Sequence, residues 1–315
     1  MRDFEEEYLP INGIKEYLLH YKASENKPVV LFIHGGPGLS ESFFAYELKK
    51  HNNNSYTLVC YDQRGSGKTL IKNPQAKFSI DILLNDLHDT IEYLKKIYNK
   101  NKIVLLCHSW GTVLGSFYSK LHPENVQLYI GTGQVIDIYE NEFIGFKKLK
   151  KEIMNKKYKK DIKILSQIGE YPSKPFNKLM FNKMTKVQKL QGKYRTSIYK
   201  EIPLLNLMIN SPVFNMVDIL AALAGPRISF PLLKEFDSRS IYSLNRRYEC
   251  PICYILGDKD YMTPYTIAAE YYSTIIAPYK KLYIIKDAGH ITYLEQPIPF
   301  NNILKEVIFE TVNNI

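Results

Sequence analysis

Short, mainly apolar runs recur along this chain, and the first ends just before a cluster of glycines, Gly35, Gly36 and Gly38. Val29–Ile33, Thr57–Tyr61, Ile103–Cys107 and Val126–Ile130 are the first four. A run with no polar alternation fits a strand buried on both faces, as in a parallel sheet. Between the second and third runs, Ile80, Leu83, Leu84, Leu87, Ile91 and Leu94 recur at helical spacing, which predicts a helix over Ser79–Tyr98. Strands alternating with helices imply an α/β architecture, a mostly parallel sheet with helices on both faces. Asn12-Gly13 before Tyr17–Tyr21 predicts an opening hairpin.

The alternation stops near Gln134. Up to about Arg247 the text is rich in Lys and Tyr, with helical patches that Pro172, Pro175, Pro203, Pro212, Pro226 and Pro231 are expected to break. Strand-like text resumes at Ile252–Leu256 and Lys281–Ile285, and a last helix is expected from Pro299 to Val312. The expected organisation is a core of residues 1–134 and 248–315 with an inserted helical lid at 135–247.

At 315 residues and 45% hydrophobic, the chain has material for a sizeable core. No uninterrupted apolar run reaches the roughly 18 residues that span a bilayer, so no integral membrane segment is expected. The acidic start, Asp3-Phe4-Glu5-Glu6-Glu7, lacks an apolar signal region, and a cytoplasmic location is the expectation. Cys60, Cys107, Cys250 and Cys253 are too scattered for a disulfide framework. Cys250-Pro251-Ile252-Cys253 has no second ligand pair, so it reads as two small apolar residues at a buried strand, and no metal is expected. The net charge of +10 is concentrated between Lys147 and Lys200, with 17 Lys and Arg against three acids. No nucleic-acid motif accompanies it, so it reads as a solvated helical surface.

Candidate chemistry lies at the ends of the predicted strands. Cys107-His108-Ser109-Trp110-Gly111 sits between a strand and a helix-like segment, the context of the G-x-S-x-G nucleophile elbow, with Cys107 in place of the first glycine. Hydrolases with this elbow order their triad Ser, Asp or Glu, His. Asp260 and His290 follow the two later strands in that order, so Ser109 is the candidate nucleophile, His290 the base and Asp260 its orienting acid. Asp258 competes with Asp260, and His108 with His290. His34-Gly35-Gly36-Pro37-Gly38 follows the Val29–Ile33 strand and is expected to bring the Gly36 N–H to a substrate oxygen, opposite the Trp110 N–H. Gly65-Ser66-Gly67-Lys68-Thr69 looks like the end of a phosphate loop. Asp62 stands where that motif needs its first glycine, which argues against nucleotide binding.

Together, His34–Gly38, Asp62-Gln63-Arg64-Gly65-Ser66-Gly67 and His108–Gly111 resemble the proline iminopeptidase family of the α/β-hydrolase fold. The resemblance extends to Gly257–Pro264 and Gly289-His290 but not clearly to the lid. It implies release of an N-terminal residue, often proline, from short peptides, without cofactor or metal. It also implies the triad Ser109, Asp260 and His290 with Gly36 and Trp110 as oxyanion donors. Family members bind the substrate's α-ammonium with acids largely from the lid. Here Asp137, Glu140, Glu142, Glu201, Asp218, Glu235 and Asp237 are all open to that role. Carboxylesterases carry similar motifs and remain the alternative, and a ligand-binding protein on the same fold is a further one. Epoxide hydrolases and dehalogenases of this fold place Asp at the nucleophile, so Ser109 argues against both.

Overall fold

The computed structural model describes residues 3–313. Eight strands, β1 (Glu5–Ile11), β2 (Ile14–Tyr21), β3 (Val29–Ile33), β4 (Thr57–Asp62), β5 (Ile103–His108), β6 (Val126–Thr132), β7 (Ile252–Gly257) and β8 (Lys280–Ile285), form one sheet. Their order is β1-β2-β4-β3-β5-β6-β7-β8. The β1–β2 and β2–β4 pairs are antiparallel and the remainder are parallel. Asn12 and Gly13 both take positive φ, 42° and 77°, which suits the two-residue turn joining β1 to β2.

Alternate strand residues supply two cores. Leu31, Ile33, Leu105 and Cys107 point to one face, and Val30, Phe32, Val104 and Leu106 to the other. Helices α1 (Ala45–Lys50) and α2 (Gly67–Lys72) lie between β3 and α3 (Ile80–Ile97), and α4 (Trp110–Leu121) follows β5. In α3 the Ser79 side chain caps the Ile82 N–H, and the six apolar residues that set its period are all buried. Each such burial contributes about 1.5–3 kcal/mol. Strand β8 closes the sheet as an edge, and its partial exposure and leading Lys280 and Lys281 suit that position.

Between β6 and β7 the chain forms α5 (Ile138–Lys156), α6 (Lys159–Ile168), α7 (Lys178–Tyr194), α8 (Leu204–Ile209) and α9 (Met216–Asp237). Their apolar residues, among them Phe146, Met180, Val187 and Phe236, join the cluster beneath α3 and α4 without a break. Then come α10 (Tyr265–Thr274), α11 (Thr292–Glu295) and α12 (Pro297–Asn313).

Two expectations need correction. Pro226 and Pro231 do not break the chain, because α9 runs through both. An internal proline costs about 3 kcal/mol. Ile228, Leu232 and Phe236 are nonetheless buried on one side of α9, and at about 1.5–3 kcal/mol each they offset the roughly 6 kcal/mol that two prolines cost. Secondly, among the described residues one helical stretch, Met216–Ser243, is long and apolar enough to cross a membrane by length and composition alone, an 18-residue window within it having a mean hydropathy of 1.4. Averaging over interspersed Gly, Pro and Ser finds what a search for uninterrupted runs misses. One side of α9 is packed within the fold, as the buried Ala221, Gly225 and Ile228 show. All four cysteines are free and buried, and burial pushes the Cys250 thiol up to about 11, away from reactive thiolate chemistry.

Candidate active site

Strand β5 delivers Ser109 to the carboxyl edge of the sheet. The serine has φ 50° and ψ −120°, a strained backbone for a residue with a side chain, and α4 begins at the next residue. Three bonds hold it there. Its N–H donates to Thr132 O at 3.0 Å, and its carbonyl accepts from the Thr112 N–H at 2.8 Å and hydroxyl at 2.6 Å. A Cβ on Gly111 would lie 2.0 Å from Ile33 O, so only glycine fits there. The first glycine of the usual elbow is Cys107, and Gly115 makes the room. A Cβ on Gly115 would come 2.3 Å from Cys107 Sγ.

The loops after β7 and β8 bring Asp260 and His290 together. Asp260 Oδ2 accepts from His290 Nδ1 at 2.9 Å, and both residues are buried. A carboxylate at Nδ1 keeps the proton on that nitrogen and leaves Nε2 free to accept one. Thr263 Oγ1 donates to Asp260 Oδ2 at 2.7 Å, and the Met262 and Thr263 N–H groups donate to Oδ1 at 2.8 and 2.9 Å. Asp258 is turned to its neighbour Lys259 instead, 2.6 Å away.

The His290 ring lies beside Gly133, where an added Cβ would come 3.0 Å from its Cε1. The carbonyl of Thr132, one residue earlier, anchors Ser109. Ser109 Oγ makes no hydrogen bond among the described residues. Such bonds are often long or misaligned before substrate arrives.

The loop after β3 crosses over the serine, since a Cβ on Gly35 would lie 3.1 Å from Ser109 Cβ. Gly36 has φ 121°, a value that strongly favours glycine. Gly36, Ser109 and Trp110 line one cavity of about 90 Å³, with Glu142, Met184 and Phe236 from the insertion among its other walls. Glu142 is buried. Burial pushes its carboxyl up to about 7, against hydrogen bonds from Tyr171 and Gln188.

The Asp62–Gly67 segment braces this loop. Gln63 N–H donates to His34 Nε2 at 3.0 Å, and the Gln63 amide to His34 O at 2.7 Å. Burial pushes the His34 pKa down, which suits an imidazole that accepts at Nε2. Arg64 grips Asp86 with two bonds of 2.6 and 2.9 Å. Asp62 Oδ2 accepts from the Lys68 N–H at 2.7 Å, at the helix start where a nucleotide phosphate would need to sit. Lys68 Nζ is used in the interior, donating to Val213 O at 2.7 Å.

His108, the rival base, is buried and faces away from a proton-accepting role. Its Nδ1 meets Glu41 at 2.9 Å, and its Nε2 meets the His290 carbonyl at 3.0 Å. With a carboxylate on one nitrogen and a carbonyl on the other, both nitrogens act as donors. Burial opposes the charge on His108, but the Glu41 carboxylate and the His290 carbonyl prevail and raise its pKa. Glu41 is correspondingly lowered: burial pushes it up, and His108 more than reverses that.

Thr263, Glu41 and Glu295 were not singled out in the sequence. Thr263 carried a faint signal, because an Asp whose side chain accepts N–H groups two and three residues ahead is a common turn. Glu41 and Glu295 carried none, since His108 for the one and Tyr199 and Lys200 for the other are distant in sequence.

The model of the alpha/beta hydrolase fold family matches residues 28–297. A probable aminopeptidase, YbaC of Bacillus subtilis, is 25% identical over 94% of this chain and 93% of its own length. A proline iminopeptidase of Heyndrickxia coagulans is 22% identical over 93% and 95%. The crystal structure of the proline iminopeptidase-related protein TTHA1809 from Thermus thermophilus superposes with a TM-score of 0.64 at 18% identity, covering all of both chains. The proline iminopeptidase likeness of the three loops is thus matched by whole-chain similarity, and the chain belongs to the alpha/beta hydrolase fold family.

Proposed function

We propose that this hydrolase works through an acyl-enzyme, as an aminopeptidase of the proline iminopeptidase type. Ser109 attacks the substrate carbonyl, His290 Nε2 takes the hydroxyl proton and returns it to the leaving amine, and water then resolves the ester. Asp260 holds the imidazole tautomer. The Gly36 and Trp110 N–H groups receive the oxyanion, each worth about 3 kcal/mol in the transition state. The observation that carries this reading is the 2.9 Å Asp260–His290 bond beside a serine held at positive φ.

The insertion, residues 135–247, serves as the lid in this reading. Of the acids open to binding an α-ammonium, Glu142 lines the cavity that Ser109 lines. An arriving ammonium would favour its ionised form, so binding couples to release of its proton. Ester hydrolysis is the second reading, and it too has an observation behind it. A protonated Glu142 among Met184, Leu233 and Phe236 leaves the cavity fit for an apolar acyl group.

Rates on proline para-nitroanilide and on short-chain para-nitrophenyl esters separate the two. Preference for the amide with a free amine is expected, and ester-only turnover would replace the peptidase with a carboxylesterase. Labelling of Ser109 by a fluorophosphonate is expected as well, and its absence would point to a non-catalytic ligand-binding protein.

A further inference from the structure

Helix α9 is apolar on both sides, and among the described residues only one side is packed against the fold. Its inner side rests on the active-site loops. A Cβ on Gly38 would come 2.7 Å from Gly225 O, and one on Gly65 would come 2.9 Å from Ile228 Cγ2. On its outer side Met216, Ile219, Leu220 and Leu223 form a helical stripe open to solvent, with Leu223 75% exposed. Leu205 and Ile209 of α8, four residues apart on a helix, are exposed as well.

No carboxylate interrupts this face. Between residues 202 and 234 the only acid is Asp218, buried with its Oδ2 3.9 Å from Lys68 Nζ. Arg227 and Lys234 of α9 are exposed. The start of α7 packs against α9 through Phe181 and Phe230, with ring centroids 5.5 Å apart, and carries the exposed Lys178.

We propose that the outer face of α8 and α9, with its cationic surround, docks this protein onto an anionic lipid surface. An exposed apolar stripe with Lys and Arg nearby is the arrangement of a helix lying in the plane of a membrane interface. A second copy of the chain fits less well. From Met216 to Arg227 the stripe is about 16 Å long and about 10 Å wide. That is far less than the roughly 800 Å² per partner of a stable interface. Two copies would also bring like charges together, in a chain whose net charge is +10. The docked helix would lie directly over Gly38 and Gly65, and its Leu233 and Phe236 line the Ser109 cavity.

Co-sedimentation of the full chain with vesicles tests this. Mixed phosphatidylglycerol and phosphatidylcholine vesicles are expected to carry the protein down, and pure phosphatidylcholine about tenfold less. The double variant Leu220→Ser/Leu223→Ser changes only exposed positions and is expected to lose binding about tenfold, while fluorophosphonate labelling of Ser109 stays at the parent rate. Arg227→Glu/Lys234→Glu is expected to weaken binding to the anionic vesicles alone. No binding to anionic vesicles, or binding that Leu220→Ser/Leu223→Ser leaves intact, would overturn the proposal. A concentration-dependent dimer in light scattering, abolished by the same leucine changes, would assign the face to a second copy instead.

Discussion

A serine held at φ 50° carries a backbone cost of about 1–3 kcal/mol, and the surrounding bonds must over-determine it. Ser109→Ala leaves those backbone bonds in place, so the fold should persist while turnover falls by about 10⁴-fold or more. Near-parental turnover in a folded variant would remove Ser109 from the mechanism. Thr263 acts one bond further out, through Asp260. A hydroxyl on a charged carboxylate contributes about 1.5–3 kcal/mol, so Thr263→Val should slow turnover about tenfold or more. A variant with the parental rate would leave Thr263 a packing role only.

Elements that are buried on both faces were the legible ones. β3, β4 and β5 read as continuous apolar runs because each stands mid-sheet with helices above and below, and Ser109, Asp260 and His290 became the candidates because the run ends pointed to them. The continuity of α9 through Pro226 and Pro231 was not legible, because tertiary packing rather than local propensity decides it. Nor was Glu295, whose bonds join two elements far apart in the chain. Its Oε2 accepts from the Tyr199 and Lys200 N–H groups at 2.8 and 2.9 Å and from Gly289 N–H at 2.9 Å. Ser197 O accepts from the His290 N–H at 2.8 Å, and Thr196 O from the Tyr261 N–H at 3.0 Å. Residues 196–200 of the insertion therefore brace the loops of both His290 and Asp260. Glu295→Gln keeps the shape but can place an NH₂ against these donors, leaving buried N–H groups unpaired at about 1–3 kcal/mol. Both a lower unfolding midpoint and slower fluorophosphonate labelling are expected, since the base loses its brace. A lower midpoint with unchanged labelling would make Glu295 a stabiliser of the fold without influence on His290.

Over the whole molecule, the buried ionisable groups set how stability responds to pH. Burial raises Glu142 to about 7, from an ordinary value near 4.5. Between those values the unfolded chain has released the proton and the folded chain still holds it, so stability falls as pH rises. The shift corresponds to roughly 3 kcal/mol, fully lost above pH 7. Burial also drives Glu16 well above the carboxylate range, with the same sign. The raised pKa of His108 stabilises the fold below the ordinary imidazole value, and that contribution too is lost as pH rises through the folded value. Glu41 works in the other direction, and so do His34 and His20, which burial lowers and which must be neutral to stay inside. The lowered pKa of Glu41 gives stability above about pH 4.5 that disappears as pH falls through the folded value. The raised carboxyls and His108 are therefore opposed, between pH 5 and pH 8, by the lowered imidazoles, and Glu142 is a group whose share one substitution isolates. Between pH 5 and pH 7 the urea midpoint of the parent should fall relative to that of Glu142→Gln. A difference between the two that does not change with pH would mean that the cavity carboxyl is ionised in the folded protein. Glu142 would then meet an α-ammonium already charged, and KM for an amine substrate would lose the fall from pH 6 to pH 7 that a carboxyl near 7 requires.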